Sequence, residues 1–276
     1  MEIIPIEGAR EQAGHLAPGR RVTVTCSPTL GLKRTLSFSE ELADRGLRVV
    51  PHISARLVES REHLRRVLDR LDGHGIGEMF VVGGDAKEPA GPFPCAGTLL
   101  REMSGVGPGV REVGVTAYPE SHPLIDDEVL VQALLDKQPF ATYMVTQICF
   151  DPGAILGWLS EVRRRGVELP VYIGLPGVVD RRKLLRISLK IGIGDSARFL
   201  RQQSGLAGRL IKPGGYNPDR LIESLAPYLG DPDYNIAGFH INTFNQVETT
   251  EKWRLQKIES LEKGEPRPNR LFRRRA

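Results

Sequence analysis

The chain has 276 residues, of which 40% are hydrophobic and 26% are charged, as expected for one globular domain with a sizeable core. No apolar run approaches the roughly 20 residues that cross a bilayer, which argues against a membrane protein. The formal net charge of +4 equals that of residues 264–276, which hold five Arg and one Glu. The rest is close to neutral, so a basic nucleic-acid groove is not expected.

Eight short apolar runs recur along the chain, and each ends in polar residues or in Pro and Gly. They cover residues 2–6, 22–26, 48–53, 78–82, 112–117, 142–150, 170–175 and 236–244. Most are separated by segments with helical periodicity. Eight repeats of strand and helix predict an α/β fold, a closed parallel (β/α)8 TIM barrel, as a single domain over residues 1–262. Residues 263–276 are predicted to be a basic, disordered tail.

The helical segments are predicted from their apolar spacing and from capping residues. Periodicity places helices over 35–43, 58–71, 124–135 and 248–261. Another helix begins after Asp151, which suits an N-cap, with Pro152 in its first turn and Gly166 at its exit. Irregular segments 89–97 and 213–218 are candidate lids, because loops after barrel strands hold ligands.

The cysteines Cys26, Cys95 and Cys149 have no CxxC spacing, which favours reduced thiols and a cytoplasmic location over disulfides. Cys149 has no paired base in the sequence, and no GxSxG motif is present. The first strand lacks the paired histidines of a barrel metallohydrolase, so no metal is expected.

The predicted strand ends are rich in hydrogen-bonding side chains and poor in nucleophiles. Gly83 and Gly84 before Asp85 suit a backbone that approaches a phosphate. The Gly-Ile-Gly-Asp-Ser run at 192–196 is better explained as a turn with an N-cap. The polar residues at strand ends are Glu2, Thr25, His52, Asp85, Tyr118, Glu120, His122, Thr146, Gln147, His240 and Asn245.

Six motifs at these strand ends resemble the methylenetetrahydrofolate reductase family, in the same order as in the family. They are Glu2-Ile-Ile-Pro5, Pro51-His52-Ile-Ser54, Gly84-Asp85, Tyr118-Pro-Glu120-Ser-His122-Pro, Thr146-Gln147-Ile-Cys-Phe-Asp151 and Phe239-His240-Ile-Asn-Thr243-Phe-Asn245. The resemblance implies an enzyme that interconverts 5,10-methylene- and 5-methyltetrahydrofolate, with FAD in the barrel and NADH or NADPH as the reductant.

The resemblance also implies roles for individual residues. Glu2 would protonate the departing pterin nitrogen from a carboxyl group with a raised pKa. Asp85 would act beside the flavin or the pterin, and Gln147 would bind the pterin edge. These three residues are the predicted catalytic and substrate-binding set. FAD would be bound by Thr25, His52, Gly83, Gly84, Asp85, Tyr118, His122 and Lys137.

Structural explanations stay open for several of these residues. Glu2 could be an exposed residue on a frayed strand, Asp85 a loop cap, and Gln147 part of a strand-end turn. The side chains of His52 and His122 could simply be satisfied within the fold, and Glu120 could brace its own loop.

The chain departs from the family pattern where the family carries cations. Gly83 replaces an Arg that faces a phosphate, Gln246 replaces an Arg, Asn242 replaces a Tyr, and the basic cluster is reduced to Lys137. FAD is still expected. The alternatives are flavin-independent hydride transfer to a pterin one-carbon carrier, or an inactive barrel that binds a methyltransferase partner. A homo-oligomer also stays open.

Overall fold

The computed structural model describes residues 1–104, 110–180, 184 and 216–263. Eight parallel strands pair in chain order and close into a barrel, which confirms the predicted (β/α)8 fold. The strands are β1 Glu2–Ile3, β2 Arg21–Val24, β3 Arg48–Ser54, β4 Glu78–Val82, β5 Glu112–Ala117, β6 Tyr143–Thr146, β7 Val171–Pro176 and β8 Ile236–Asn242.

A helix follows every strand in the described part of the chain. The helices are α1 Ala9–Ala13, α2 Gly31–Asp44, α3 Arg61–Gly73, α4 Ala96–Met103, α5 Asp127–Lys137, α6 Pro152–Arg164, α7 Asp219–Leu225 and α8 Val247–Glu262. No helix among the described residues has the length and apolar character needed to span a bilayer. The tail 264–276, the run 192–196 and residues 213–215 of the candidate lid 213–218 lie outside the described residues.

Side chains alternate between the barrel interior and the helical layer, as the two-residue period of a strand requires. Outward-facing residues such as Val22 and Val24 are fully buried beneath the helices. Inward-facing glycines make room for aromatic rings. A Cβ at Gly114 would lie 2.4 Å from the Tyr143 ring and 2.5 Å from Phe80.

An ion pair stacked on tyrosines fills the amino-terminal end of the barrel interior. Arg21 hydrogen-bonds to both carboxylate oxygens of Glu78. Its guanidinium carbon lies 4.9 Å from the centroid of the Tyr143 ring and 5.0 Å from that of Tyr172. The polar side chains that remain available inside the barrel therefore lie toward the carboxyl ends of the strands.

Strands β1, β2, β6 and β8 are shorter than predicted, and β1 and β6 differ most. Pro5 has no backbone N–H, and the backbone of Ile4 bonds to the Asn245 side chain, so β1 ends at Ile3. The predicted strand 142–150 covers Tyr143–Thr146. Gln147 N and Cys149 N still donate to Ala117 O and Gly174 O of the neighbouring strands, whereas Phe150 N donates to the Glu120 carboxylate at 3.2 Å.

The helix starts follow their capping residues. Ser60 accepts from His63 N at 3.1 Å and Asp126 from Glu128 N at 2.9 Å, so α3 and α5 begin later than their apolar patterns suggest. The N-cap role predicted for Asp151 is confirmed, since it accepts from Gly153 N at 2.8 Å. Gly166 has the positive φ of 92° expected after α6.

Candidate active site

The carboxylate of Glu2 lies inside the barrel, bonded to side chains of β8 and of the segment after β2. Its Oε1 accepts from the Thr25 hydroxyl at 2.9 Å, and its Oε2 lies 2.8 Å from His240 Nε2. With its amide nitrogen turned inward, Asn242 donates to Oε2 at 3.1 Å and to Oε1 at 3.3 Å. We call Glu2, Thr25, His52, His240 and Asn242 the Glu2 cluster. Glu2 is therefore not a frayed residue.

Strand register explains how the cluster forms. Glu2 pairs with Thr23 on β2 and with Asn242 on β8. Thr25 follows Thr23 by two residues and His240 precedes Asn242 by two, so both face inward like Glu2. The backbone of Glu2 is fixed as well, because its carbonyl accepts from the Thr243 hydroxyl at 2.6 Å.

The donors around Glu2 keep it ionised. Burial alone raises the pKa of a carboxyl group, but the His240 hydrogen bond, the charges of His52 and His240 and the Thr25 hydroxyl together lower the pKa of Glu2 from 4.5 to about 2. The expected raised pKa is therefore wrong for the protein without substrate. The expected burial is present, but the hydrogen-bond donors outweigh it.

His52 lies against the same carboxylate but contributes little charge at neutral pH. Burial lowers its pKa from 6.5 to about 4, although the Glu2 charge acts in the opposite direction. Its Nε2 is 4.0 Å from Glu2 Oε2, and this buried nitrogen has no hydrogen-bond partner among the described residues. Near pH 7 the Glu2 carboxylate is thus held by Thr25, His240 and Asn242.

His240 also borders a cavity on the amino-terminal side of the cluster. The cavity has a volume of about 200 Å³ and is lined by Arg21, Thr23, Tyr143 and Tyr172 as well as His240. His240 therefore contacts Glu2 on one side and this cavity on the other.

Asp85 lies in the loop of residues 83–95 between β4 and α4, which we call the β4–α4 loop. Gly84 has a φ of +93°, and a Cβ there would lie 1.9 Å from Ser54 Oγ, so glycine is required. Asp85 is exposed, and its carboxylate makes no hydrogen bond within the described residues. It does not cap its loop. Its charge contributes, after burial, to a raised pKa of Tyr118.

Tyr118 and His122 form a second group at the end of β5. Their rings meet edge to face at 5.3 Å, and His122 Nδ1 accepts from Leu124 N at 3.2 Å. One ring nitrogen of His122 is thus satisfied within its own loop. The Asp85 charge acts on the Tyr118 hydroxyl, so Tyr118 links the residues after β5 to the loop after β4.

Lys137 is not brought to the Glu2 cluster. Its side chain is 7% exposed, and its ammonium donates to the Thr116 carbonyl at 3.3 Å. Burial lowers the pKa of Lys137 from 10.5 to about 8. A buried ammonium bonded to a strand carbonyl is poorly placed to meet a phosphate.

Gln147 is the first residue after β6, and by the strand's alternation its side chain faces the barrel interior. Its backbone N–H donates to Ala117 O at 2.8 Å, and its side-chain amide has no hydrogen-bond partner in the described part of the chain. The side chain is thus not used in a turn. Nearby Cys149 is buried, which raises its pKa well above the usual value, so it is a poor nucleophile. Glu120 braces the neighbouring β6–α6 segment through Phe150 N rather than its own loop alone.

Thr25, Asp85, Tyr118, His122 and Gln147 follow the last residues of their strands, at the end where closed parallel barrels bind their ligands. The structure brings Glu2, Thr25 and His52 into one cluster, and pairs Tyr118 with His122 near Asp85. The predicted site set omitted His240 and Asn242. A signal for both exists, since they alternate on the strand that must close against β1.

The closed barrel makes the chain a (β/α)8-barrel protein, a class that binds its ligands at the carboxyl ends of the strands. The sequence profile of the methylenetetrahydrofolate reductase family matches residues 18–191, so the chain belongs to this family. Glu2 and His240 lie outside the matched range, so their roles rest on the motifs and on the geometry.

Two relatives carry the family name. Methylenetetrahydrofolate reductase 2 of Saccharomyces cerevisiae is 26% identical over 161 residues, which is 56% of this chain and 26% of the relative. Methylenetetrahydrofolate reductase 1 of Schizosaccharomyces pombe is 26% identical over 124 residues, which is 42% of this chain and 21% of the relative. The chain spans about a quarter or less of the length of these curated relatives.

Proposed function

We propose that the protein is an NAD(P)H-dependent reductase that interconverts 5,10-methylenetetrahydrofolate and 5-methyltetrahydrofolate. Family membership supports the substrate class. The observation that carries the proposal is the Glu2 carboxylate, which lies partly buried inside the barrel and 2.8 Å from an ionisable partner, His240. A carboxylate and an imidazole in contact can hold and move the proton that this reaction needs.

The reaction begins with a proton transfer to the bridging nitrogen. When that nitrogen accepts a proton, its bond to the methylene carbon breaks and leaves an iminium, and a hydride then converts this carbon to a methyl group. Because the pKa of Glu2 is about 2 in the free protein, Glu2 has to receive the proton it donates. Protonated His240, whose Nε2 contacts Oε2, is the source we propose.

Two further residues would bind the pterin. The Gln147 amide offers a donor and an acceptor, and neither is used by another described side chain. The exposed Asp85 carboxylate accepts hydrogen bonds only, which suits the N–H groups of a pterin edge. Both side chains project from the carboxyl ends of their strands, β6 and β4.

The diphosphate of FAD fits the described residues poorly. Gly83 supplies no cation, and Lys137 is buried on a strand carbonyl. The Thr25 hydroxyl is used by Glu2 and His52 is buried beside the same carboxylate, so Tyr118 and His122 are the better placed groups to contact an isoalloxazine. We therefore include no flavin step in the proposed reaction, and FAD stays a prediction. The second candidate is direct hydride transfer from NADH or NADPH to the folate. The burial of Lys137 favours it, because Lys137 is then not available to bind the diphosphate of FAD.

The spectrum and steady-state kinetics separate these routes. Bound flavin would give the purified protein flavin absorbance and, if both substrates use one face, parallel initial-velocity lines. Direct hydride transfer would give a colourless protein and intersecting lines. Both nicotinamides should be tested in both directions under anaerobic conditions.

The variant Glu2→Gln tests the proposed function itself. The amide keeps the shape of the side chain but donates no proton, so folate turnover should fall by at least about 100-fold. Glu112→Gln is the matched control, because Glu112 is exposed at the amino end of β5. If wild-type protein binds a methyltransferase partner but turns over no folate, the inactive-barrel alternative replaces the reductase.

A further inference from the structure

The β4–α4 loop is held in place by one side chain from outside it. This loop contains Pro89, Gly91, Pro92 and Pro94, a composition that predicts a lid. Instead the loop lies along the segment that follows β3. Phe93 is only 4% exposed, and a Cβ at Gly91 would lie 2.2 Å from Glu59 O.

Arg56, just after β3, makes the bonds that hold the loop. Its Nε donates to Ala86 O at 2.6 Å, Nη2 to Lys87 O at 2.5 Å and Nη1 to Pro94 O at 2.9 Å. Its backbone N–H donates to Gly83 O at 3.1 Å, and its carbonyl accepts from Ala90 N at 2.9 Å. Among the described side chains Thr98 also makes three hydrogen bonds to this loop, but all three are to Cys95 at its last position.

The bonded carbonyls lie on both sides of Asp85 in the chain. Gly83 O is fixed before Asp85, and Ala86 O and Lys87 O are fixed after it. The Asp85 carboxylate itself makes no hydrogen bond among the described residues. Its position is therefore set by the backbone, which Arg56 holds on both sides of Asp85 and which the Ser54 hydroxyl also bonds at Gly83 O.

We infer that Arg56 is a positioning residue that holds the Asp85 carboxylate toward the pterin at the barrel mouth. This inference rests on the proposed function. It gives the chain a catalytic requirement that the family motifs do not include, because Arg56 lies after Pro51-His52-Ile-Ser54 and before Gly84-Asp85.

Arg56 does not act as a substitute for the phosphate-facing arginine that Gly83 replaces. All three guanidinium nitrogens are already bonded to loop carbonyls. Because the single N–H of Nε is used, the guanidinium cannot bind a phosphate in a bidentate manner through its Nε and Nη donors. Its contacts are those of a residue that shapes a loop.

The test is a double-mutant cycle in the full chain with Arg56→Met and Asp85→Asn. Each single variant should lower kcat, by roughly 10- to 100-fold for Arg56→Met, since misplacing a reacting group by about 1 Å costs up to about 100-fold. The double variant should be no slower than Asp85→Asn, because Arg56 acts through Asp85. Arg61→Met is the control, since Arg61 forms an exposed ion pair with Glu102 and makes no hydrogen bond to the loop.

Hydrogen exchange gives a readout that does not require turnover. The Ala90 amide should exchange faster in Arg56→Met and not in Arg61→Met. Unchanged exchange, or losses that multiply in the double variant, would overturn the inference. If wild-type protein shows no folate turnover, the proposed function fails. In that case, titration with 5-methyltetrahydrofolate decides: equal affinity of wild type and Arg56→Met overturns the inference, and weaker binding by the variant supports it.

Discussion

At the scale of single residues, chemistry is set by what lies next to a side chain rather than by its type. Burial decides the pKa of His52, which is lowered. At Glu2 the surrounding hydrogen-bond donors and charges outweigh the effect of burial, and the pKa is lowered although burial alone would raise it. The difference is the number of donors, since Glu2 accepts from Thr25, His240 and Asn242. No buried partner completes a hydrogen bond to His52 Nε2 within the described chain.

The proton source predicts a specific change in pH dependence. His240→Gln keeps a donor for Glu2 Oε2 but removes the group that gains and loses a proton. We expect kcat to fall roughly 10- to 100-fold and the alkaline limb of the kcat/KM profile to move or vanish, because the proposed donor acts in its protonated form. Replacing His74, which pairs with Asp44 at the surface, should leave both unchanged. A His240→Gln enzyme with the wild-type profile would exclude the proposed transfer.

Gly84 makes a second prediction at this scale. Gly84→Ala forces a side chain into a left-handed backbone and against Ser54 Oγ, so the free energy of unfolding should drop by roughly 1–3 kcal/mol. Gly83→Ala is the matched comparison, because a Cβ there meets nothing within 4 Å. Urea unfolding of the two variants measures the difference, and equal midpoints would contradict this explanation.

At the scale of elements, the sequence predicted what repeats and missed what interrupts a repeat. The eight apolar runs and the helical segments between them were enough to predict the eight strands. Within each strand the inward-facing residues recur every two positions. The early end of β1 depends on side-chain bonds from Asn245, which is distant in the chain. The Glu2–His240 contact, across 238 positions, could be found only by closing β8 against β1.

The pairing of β1 with β8, which closes the barrel and which we call the seam, depends on the Asn245 side chain. Asn245 accepts from Ile4 N at 2.8 Å and donates to Ile4 O at 2.9 Å, from a backbone with φ of +58°. Asn245→Ala should cost roughly 1–3 kcal/mol in unfolding free energy and speed exchange of the Ile4 amide. Asn217→Ala, at an exposed turn, is the control. Similar losses in both variants would show that the seam has no special role.

At the scale of the whole molecule, two buried groups make the fold sensitive to acid. The lowered pKa of Glu2 means that its contribution is present above pH 4.5 and lost as pH falls toward 2. His52 has a folded-state pKa of about 4 against 6.5 when unfolded, so the unfolded chain binds its proton first. Stability is therefore lost as pH falls from 6.5 to 4.

The His52 contribution can be isolated by one substitution. Between pH 6.5 and 4 the free energy of unfolding should fall by up to about 3 kcal/mol on account of this residue. His52→Asn should flatten the pH dependence over that interval, even if it lowers stability at every pH. Urea unfolding at half-unit steps gives the slope. Parallel curves for wild type and variant would assign the acid sensitivity to other groups.

The missing side chain at Gly114 ties neighbouring strands to one another. The rings of Phe80 on β4 and Tyr143 on β6 occupy the space that a methyl group at position 114 on β5 would need. The side-chain volumes at these three positions are therefore limited together. A bulkier residue on β5 is tolerable only when β4 or β6 carries something smaller. Changes at these three positions should therefore arise together, and a library that varies any one of them alone would return mostly misfolded chains.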